Sequence, residues 1–277
     1  MFSRLFMVLL LMYFLIPLVW LFFAMTKSNS GLFSSFGFWF DTSDFHFFDN
    51  IRDLLARDNG AFIKWMENTA IYATAAAVGS TIVSAWAGYA FAMYRFRGRG
   101  VLFALVLASV FVPATVLALP LYFLLTQTGL SNTLLAVILP ALVNPFGIFL
   151  MRIFSERAIP PELIDAARVD GAGEYRIFFT ISLRLLAPGF VTVLLFSFVG
   201  AWNNYFLPLL VLTKSDLEVL TVGLSNWNAL AAQPGNAQVI YALVVIGSVI
   251  AILPVMILFV FLQRFWQEGL AIGSVRG

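Results

Sequence analysis

The 277-residue chain has no cysteine and a single histidine, His46. Disulfide frameworks, thiolate metal sites and histidine clusters are thereby excluded. Charge is scarce too. Only 11% of residues are Asp, Glu, Lys or Arg, against about a quarter in an ordinary soluble domain, while 61% are hydrophobic and mean hydropathy is +0.94. Such a chain is an integral membrane protein. The net charge of +2 leaves no electrostatic footprint for nucleic acid. A nucleotide P-loop, G-x-x-x-x-G-K-[ST], is also missing, so the polypeptide is expected to be no enzyme and to hydrolyse no ATP itself.

What is present is a set of uncharged apolar runs, each near the ~20 residues that cross a bilayer. They cover residues 5–25, 69–93, 101–125, 134–151, 185–212 and 239–262. The expectation is a single all-α permease domain, polytopic, with six transmembrane helices. The first run follows Arg4 as a signal-peptide core would, but its length and its continuation through Pro17 to Trp20 point to a retained anchor. Eleven of the sixteen Lys and Arg residues fall in the segments that are inside if the N-terminus is inside. The positive-inside rule then places both termini in the cytoplasm. Residues 26–66 become an external loop rich in acids. Within it Asp49-Asn50 and the apolar Ile51, Leu54 and Leu55 predict a capped amphipathic helix ending at Asn59-Gly60. That helix either meets a soluble partner or lies on the membrane surface, and His46 between two phenylalanines is read as an interfacial residue. In the second run Ser80, Ser84 and Gly88 form a small-residue stripe suited to close helix packing. Pro113, Pro120, Pro140 and Asn144-Pro145 predict bends in the third and fourth. Arg95, Arg97 and Arg99 lie in a tight inner turn, where they anchor to lipid headgroups.

The stretch 160–184 stands apart because Glu162, Asp165, Arg168, Asp170, Glu174, Arg176 and Arg184 crowd it between two uncharged runs. Pro160-Pro161 opens a short helix whose first turn carries Glu162, and Gly171 supplies a left-handed stop. Leu163, Ala166, Ala167 and Asp170 share one face. A second segment puts Tyr175, Phe178, Phe179 and Ser182 together at helical spacing. Small alanines beside acids make a docking surface for a partner rather than a catalytic site; a plain connecting loop is the alternative.

The letters D-A-A-R-V-D-G at 165–171 and I-S-L at 181–183 resemble the E-A-A-x-x-x-G…I-x-L-P signature of binding-protein-dependent ABC importer permeases. Asp165 stands for the glutamate and Arg184 for the proline, with Pro188 available to break the helix instead. Gly200 to Pro208, with W-N-N-Y at 202–205, resembles the W-N-x-x-x-x-P-L segment of the carbohydrate branch. The C-terminal Q-R…G-L-x-x-G-S-V-R-G resembles the tail of the maltose-type second permease subunit. The resemblance implies a type I ABC importer permease fold in the cell membrane of a prokaryote. Its implied partners are a second homologous permease, an ATPase dimer carrying ATP and magnesium, an extracytoplasmic solute-binding protein and membrane lipid. It assigns ATPase coupling to Glu162, Asp165, Ala166, Ala167, Asp170, Gly171 and Ala172 in the loop 155–184. It makes Trp202, Asn203, Asn204 and Tyr205 candidates for the substrate pathway, and Gly273, Ser274, Val275 and Arg276 candidates for a tail that touches the ATPase. No cofactor and no metal is expected on this chain.

Residue chemistry bears on the energy source independently. A charge at mid-membrane costs roughly 2.5–3.5 kcal/mol on insertion scales, and proton-coupled carriers accept that cost. None of the six runs holds an ionisable Asp, Glu, Lys, Arg or His. A proton-coupled carrier is disfavoured, although sodium sites built from carbonyls remain open. Uncharged amides beside aromatic rings suit a neutral sugar. The competing expectations are an ion-coupled secondary transporter, an ABC permease for a non-sugar solute, and a membrane scaffold that transports nothing.

Overall fold

The computed structural model describes residues 2–233 and 237–274, with side chains for residues 3–233 and 240–265. The regular elements among them are helical, and no strand occurs. In chain order they begin with α1 (Phe2–Ala24), α2 (Gly31–Ser34), α3 (Phe47–Ala56), α4 (Ala61–Met93), α5 (Arg99–Val110) and α6 (Ala114–Gln127). Next come α7 (Leu135–Ala141), α8 (Pro145–Ala158), α9 (Pro161–Val169), α10 (Glu174–Ile177) and α11 (Leu183–Leu185). The last are α12 (Ala187–Trp202), α13 (Phe206–Val211), α14 (Leu220–Ala231) and α15 (Ala237–Ser274).

Among the described residues four stretches are long and apolar enough to cross a membrane: Ser3–Ala24, Ala61–Met93, Leu135–Ala158 and Ile240–Phe265. Two further pairs qualify only if each bent pair is one span, and both bends have local causes. The run 101–125 is not one helix. Pro113, which has no N–H and disfavours helical geometry in the residue before it, caps α6 with extended backbone, and α5 and α6 meet at 103°. The run 185–212 is also divided, since α12 stops at Trp202 and α13 starts at Phe206.

The chain forms two compact units. One comprises Met1–Asn68 and Glu218–Pro254. Here Trp65 packs edge-on against Trp227 at 4.6 Å, and Trp227 Nε1 donates to Asp58 Oδ2 at 3.1 Å. Asn68 donates to the Glu218 carbonyl (2.9 Å) and Asn226 to Glu218 Oε1 (2.6 Å). Burial pushes the Glu218 carboxyl up, and bonds from Asn226 and Trp65 oppose it. The amphipathic helix of the first loop begins at Phe47, earlier than the Asp49-Asn50 pair that its sequence offers as a cap. Asn50 is instead turned inward, where it donates to the carbonyls of Met25 and Lys27. His46 lies between Asp44 (3.3 Å) and Asp49 (3.1 Å). It is thus an acid-paired residue, which its phenylalanine neighbours concealed.

The other unit comprises Thr69–Leu217 and Val255–Gly277. Its α4 uses the small-residue stripe as the sequence predicts: Ser80 and Ser84 are buried, and Gly88 lies so near Met151 that a Cβ would sit 2.6 Å from the Arg152 nitrogen. Apolar tails gain nothing by leaving lipid for protein, so close packing of this kind is what holds such helices together. Asn144 caps α8 by accepting from Gly147 N at 2.9 Å, with Pro145 in the first turn, and its amide donates to Ser197 Oγ at 3.0 Å.

Candidate functional site: a braced hairpin and a broken helix

Helix α9 begins where Pro160 and Pro161 allow and ends in a Schellman turn. Ala172 N donates to the Ala167 carbonyl and Gly171 N to the Arg168 carbonyl, each at 3.0 Å, and Gly171 has φ +80°. No atom lies within 4 Å of where a Gly171 Cβ would be, so backbone conformation alone demands glycine there. The chain returns through α10, a π-helical turn over Phe178–Ser182 and α11. It then bends by 81° into α12. The bend falls at Leu186, and Pro188 occupies the first turn of α12, a place where a missing N–H costs nothing. Pro188 cannot donate to the Arg184 carbonyl, so the helix breaks just ahead of it, as the sequence expects where the signature lacks its proline at 184.

The inner face of the hairpin is Ile164, Ala167, Ile177 and Phe178, packed with Tyr89, Met151, Ile159 and Leu186 in one cluster. Removing Ile164 and Ile177 from water is worth about 1.5–3 kcal/mol each. Two sequence expectations change here. Ala167 faces this cluster and not the open side, and Ala172 packs against it as well. In the returning segment Phe178 and Ser182 are buried, but Tyr175 is 81% exposed and Phe179 half exposed, because the inward side is set by Ile177, which lies opposite Tyr175 on α10. The outer face presents Glu162, Leu163, Asp165, Ala166, Val169, Asp170 and Gly171, with Val169 87% exposed.

A polar brace ties the hairpin to the end of α4. Arg168 Nε donates to Glu174 Oε1 at 2.8 Å, Arg168 Nη1 to Asp165 Oδ1 at 3.1 Å, and the Tyr94 hydroxyl to Glu174 Oε2 at 2.7 Å. Hydrogen bonds from Arg168 and Tyr94 hold the Glu174 carboxyl below its ordinary range, and Glu174 in turn raises Arg168. Burial, then the bond to Glu174, pushes the Tyr94 phenol up. Alongside, Arg152 Nε donates to Glu156 at 2.8 Å and its guanidinium covers the Phe103 ring at 3.9 Å. Sequence reading missed Tyr94 and Glu174. The only available signal was opposite charge across the glycine turn, Arg168 against Glu174.

The second candidate region is the break between α12 and α13. Trp202 is buried and stacks on Phe198 at 5.4 Å. Asn203 is exposed, its amide folded back onto the Val199 carbonyl at 2.8 Å. Asn204 is half-buried and bonds the Tyr72 hydroxyl, which itself donates to the Ala201 carbonyl. Tyr205 packs edge-on against Phe206. Asn132, in left-handed backbone, fixes the far end: its Oδ1 accepts from Thr213 N (2.7 Å), Thr213 Oγ1 (2.9 Å) and Lys214 N (3.1 Å). Of the tail candidates, Gly273 and Ser274 continue the backbone of α15 and their side chains are outside the described residues, as are Val275 and Arg276 altogether. Among the described residues no group of acids and histidines is placed to hold a metal ion.

Comparison with known proteins shows which family this all-helical, multi-pass membrane protein belongs to. Residues 80–270 match the model of the binding-protein-dependent transport system inner membrane component. The chain is 39% identical over 218 residues to the arabinooligosaccharides transport system permease protein AraQ of Halalkalibacterium halodurans, covering 79% of this chain and 76% of that one. It is 35% identical to the lactose transport system permease protein LacG of Rhizobium radiobacter, over 83% and 80% of the two chains. A crystal structure of a bacterial ABC transporter involved in import of the acidic polysaccharide alginate superposes with TM-score 0.80 at 23% identity, over 95% and 94% of the chains, a likeness of fold. The chain belongs to the binding-protein-dependent transport system inner membrane components, the permeases of ABC importers.

Proposed function

We propose that this permease imports a neutral sugar, an oligosaccharide of the size its relatives are named for, and that a separate ATPase drives it through residues 160–184. The observation that carries the reading is the hairpin. Its inner face is packed and braced, while its outer face leaves Val169, Tyr175, Glu162 and Asp165 uncovered by this chain. A rigid lever with an apolar, acid-rimmed tip suits a partner that pushes on it, because buried apolar anchors dominate interface energy and rim charges set register. A solute-binding protein on the opposite side and a second permease would complete the pathway.

The sugar assignment rests on the names of the relatives and on the uncharged break at 202–206. Flat rings cover a sugar's apolar face, and amides exchange hydrogen bonds with its hydroxyls. Trp202 is buried and Asn204 is engaged with Tyr72, so Asn203 is the residue of this set best placed to meet a solute.

The complex, purified with its copurifying subunits and placed in liposomes, should take up labelled oligosaccharide only when ATP and the binding protein are supplied. Uptake that persists without ATP, or collapses with an uncoupler while ATP is constant, would establish an ion-coupled carrier instead.

A further inference from the structure

We propose that the segment from Phe33 to Phe48 is a membrane-interface anchor, seated among phospholipid headgroups and upper acyl chains where α1 leaves the bilayer. Its depth follows from what it touches. Trp39 and Phe40 pack against Phe23 at 5.7 and 4.7 Å, and Phe40 meets Phe22 at 6.1 Å. A Cβ on Gly37 would lie 2.9 Å from Trp20 Nε1. Those contacts are one to four residues before the end of α1 at Ala24, which at 1.5 Å per residue is about 2–6 Å back along the helix. The loop therefore runs back beside a helix long and apolar enough to cross the membrane, whose apolar window is 0% buried by this chain.

Inside and outside are inverted relative to a water-facing loop. Polar groups point in: Lys27, 1% exposed, donates to Ser35 Oγ at 2.6 Å and to the Phe36 carbonyl at 2.5 Å. Asp44 accepts from Ser28 N at 3.1 Å, whereas Asp41 accepts from Ser43 N and Oγ at 3.0 and 2.6 Å on the exposed side of the loop. Aromatic rings point out, with Phe36 at 74% and Trp39 at 65% exposure, and no Lys or Arg occurs from Ser28 to Ile51. Phe22, Met25, Phe40, Phe45 and Phe47 line an adjoining apolar cleft of about 590 Å³. Rings of this kind at the end of a span favour the interface, and phospholipid is the partner continuous with the lipid-facing surface of α1.

The chain's lack of cysteine makes the test direct. A nitroxide would be placed on Trp39→Cys, and separately on Phe36→Cys, with the full chain and its copurifying subunits, their own cysteines replaced by serine, in phosphatidylcholine–phosphatidylglycerol nanodiscs. Leu11→Cys and Ser215→Cys, the latter exposed between Lys214 and Asp216, provide lipid and water references. Collisions with oxygen should be favoured over those with a nickel chelate at both positions, giving ratios severalfold above Ser215 and below Leu11. Nickel access equal to that at Ser215 would overturn the proposal, as would exclusion of both probes, which would mean that a protein partner covers the segment. The readout needs no transport, so it stands or falls separately from the import mechanism.

Discussion

Residues 160–185 and 202–206 are both interruptions between apolar helices of the same unit, yet they are stabilised by opposite chemistry. The hairpin is closed by ions: Arg168 reaches Asp165 and Glu174, and Tyr94 joins from α4. The break is closed by neutral groups, with Asn204 on Tyr72, Tyr72 on the Ala201 carbonyl and Asn203 on Val199. Charges are affordable where water can reach them and expensive in hydrocarbon, whereas amides can be satisfied in either place. The proposed lever for a soluble partner and the proposed passage for a neutral solute would therefore require different letters.

The largest effect is expected where the hairpin is uncovered. Val169→Asp combined with Tyr175→Ser should leave thermal unfolding unchanged, since both side chains are exposed, and should lower ATP-driven uptake by about 30-fold or more, as loss of interface anchors worth ≥ ~2 kcal/mol would. Wild-type uptake by this variant would separate the tip from energy coupling. Next in size is the brace. Arg168 and Glu174 side chains are 39% and 44% exposed, so solvent screening keeps their pair to about 1 kcal/mol or less. Arg168→Glu should raise the ATP consumed per sugar moved by up to about 5-fold, and the exchange Arg168→Glu with Glu174→Arg should restore it. If the ratio stays constant and only the yield of complex falls, the brace is structural and transmits nothing.

The difference between the two regions also explains what could be read from the letters. Pro160-Pro161 and Gly171 act on their own backbone, so the hairpin's start and turn are legible locally. The faces of its second arm are not, because packing against the cluster selects Ile177 as the inward residue and leaves Tyr175 on the opposite side of α10. Tyr94 is eighty residues from Glu174 in sequence, and only packing of the two segments brings them together. In the break, the amides of Asn203 and Asn204 look alike as adjacent letters, and the end of α12 sends one outward and the other to Tyr72. The family resemblance survived all this because it rests on short local strings.

Those two amides give the third contrast. Asn204→Ala should lower stability by about 1 kcal/mol, the usual worth of a part-buried hydrogen bond, with uptake reduced in proportion to the remaining folded complex. Asn203→Ala should change stability by less than about 0.5 kcal/mol while raising KM for the sugar with kcat unchanged, as loss of a ground-state contact does. An unaltered KM would remove Asn203 from the substrate pathway and leave the break a structural joint.

The smallest effect, and the finest test of the contrast, is pH. Glu174 is held below its ordinary value of 4.5, so the stability it contributes is complete above 4.5 and disappears as pH falls through the lower folded value. Tyr94 is pushed above its ordinary 10.0, so its contribution is complete below 10.0 and fades only as pH rises through the raised value. Between about pH 5 and pH 9 neither changes protonation, and the ATP-to-sugar ratio should be flat. Acid should then loosen the hairpin alone, because the break holds no carboxylate. Glu174→Gln should abolish the acid-dependent rise in that ratio, and Asn204→Ala should leave its midpoint where it was. A severalfold change within the flat window, or an acid midpoint that follows Asn204, would show that the ions and the amides are not the separate devices their geometry describes.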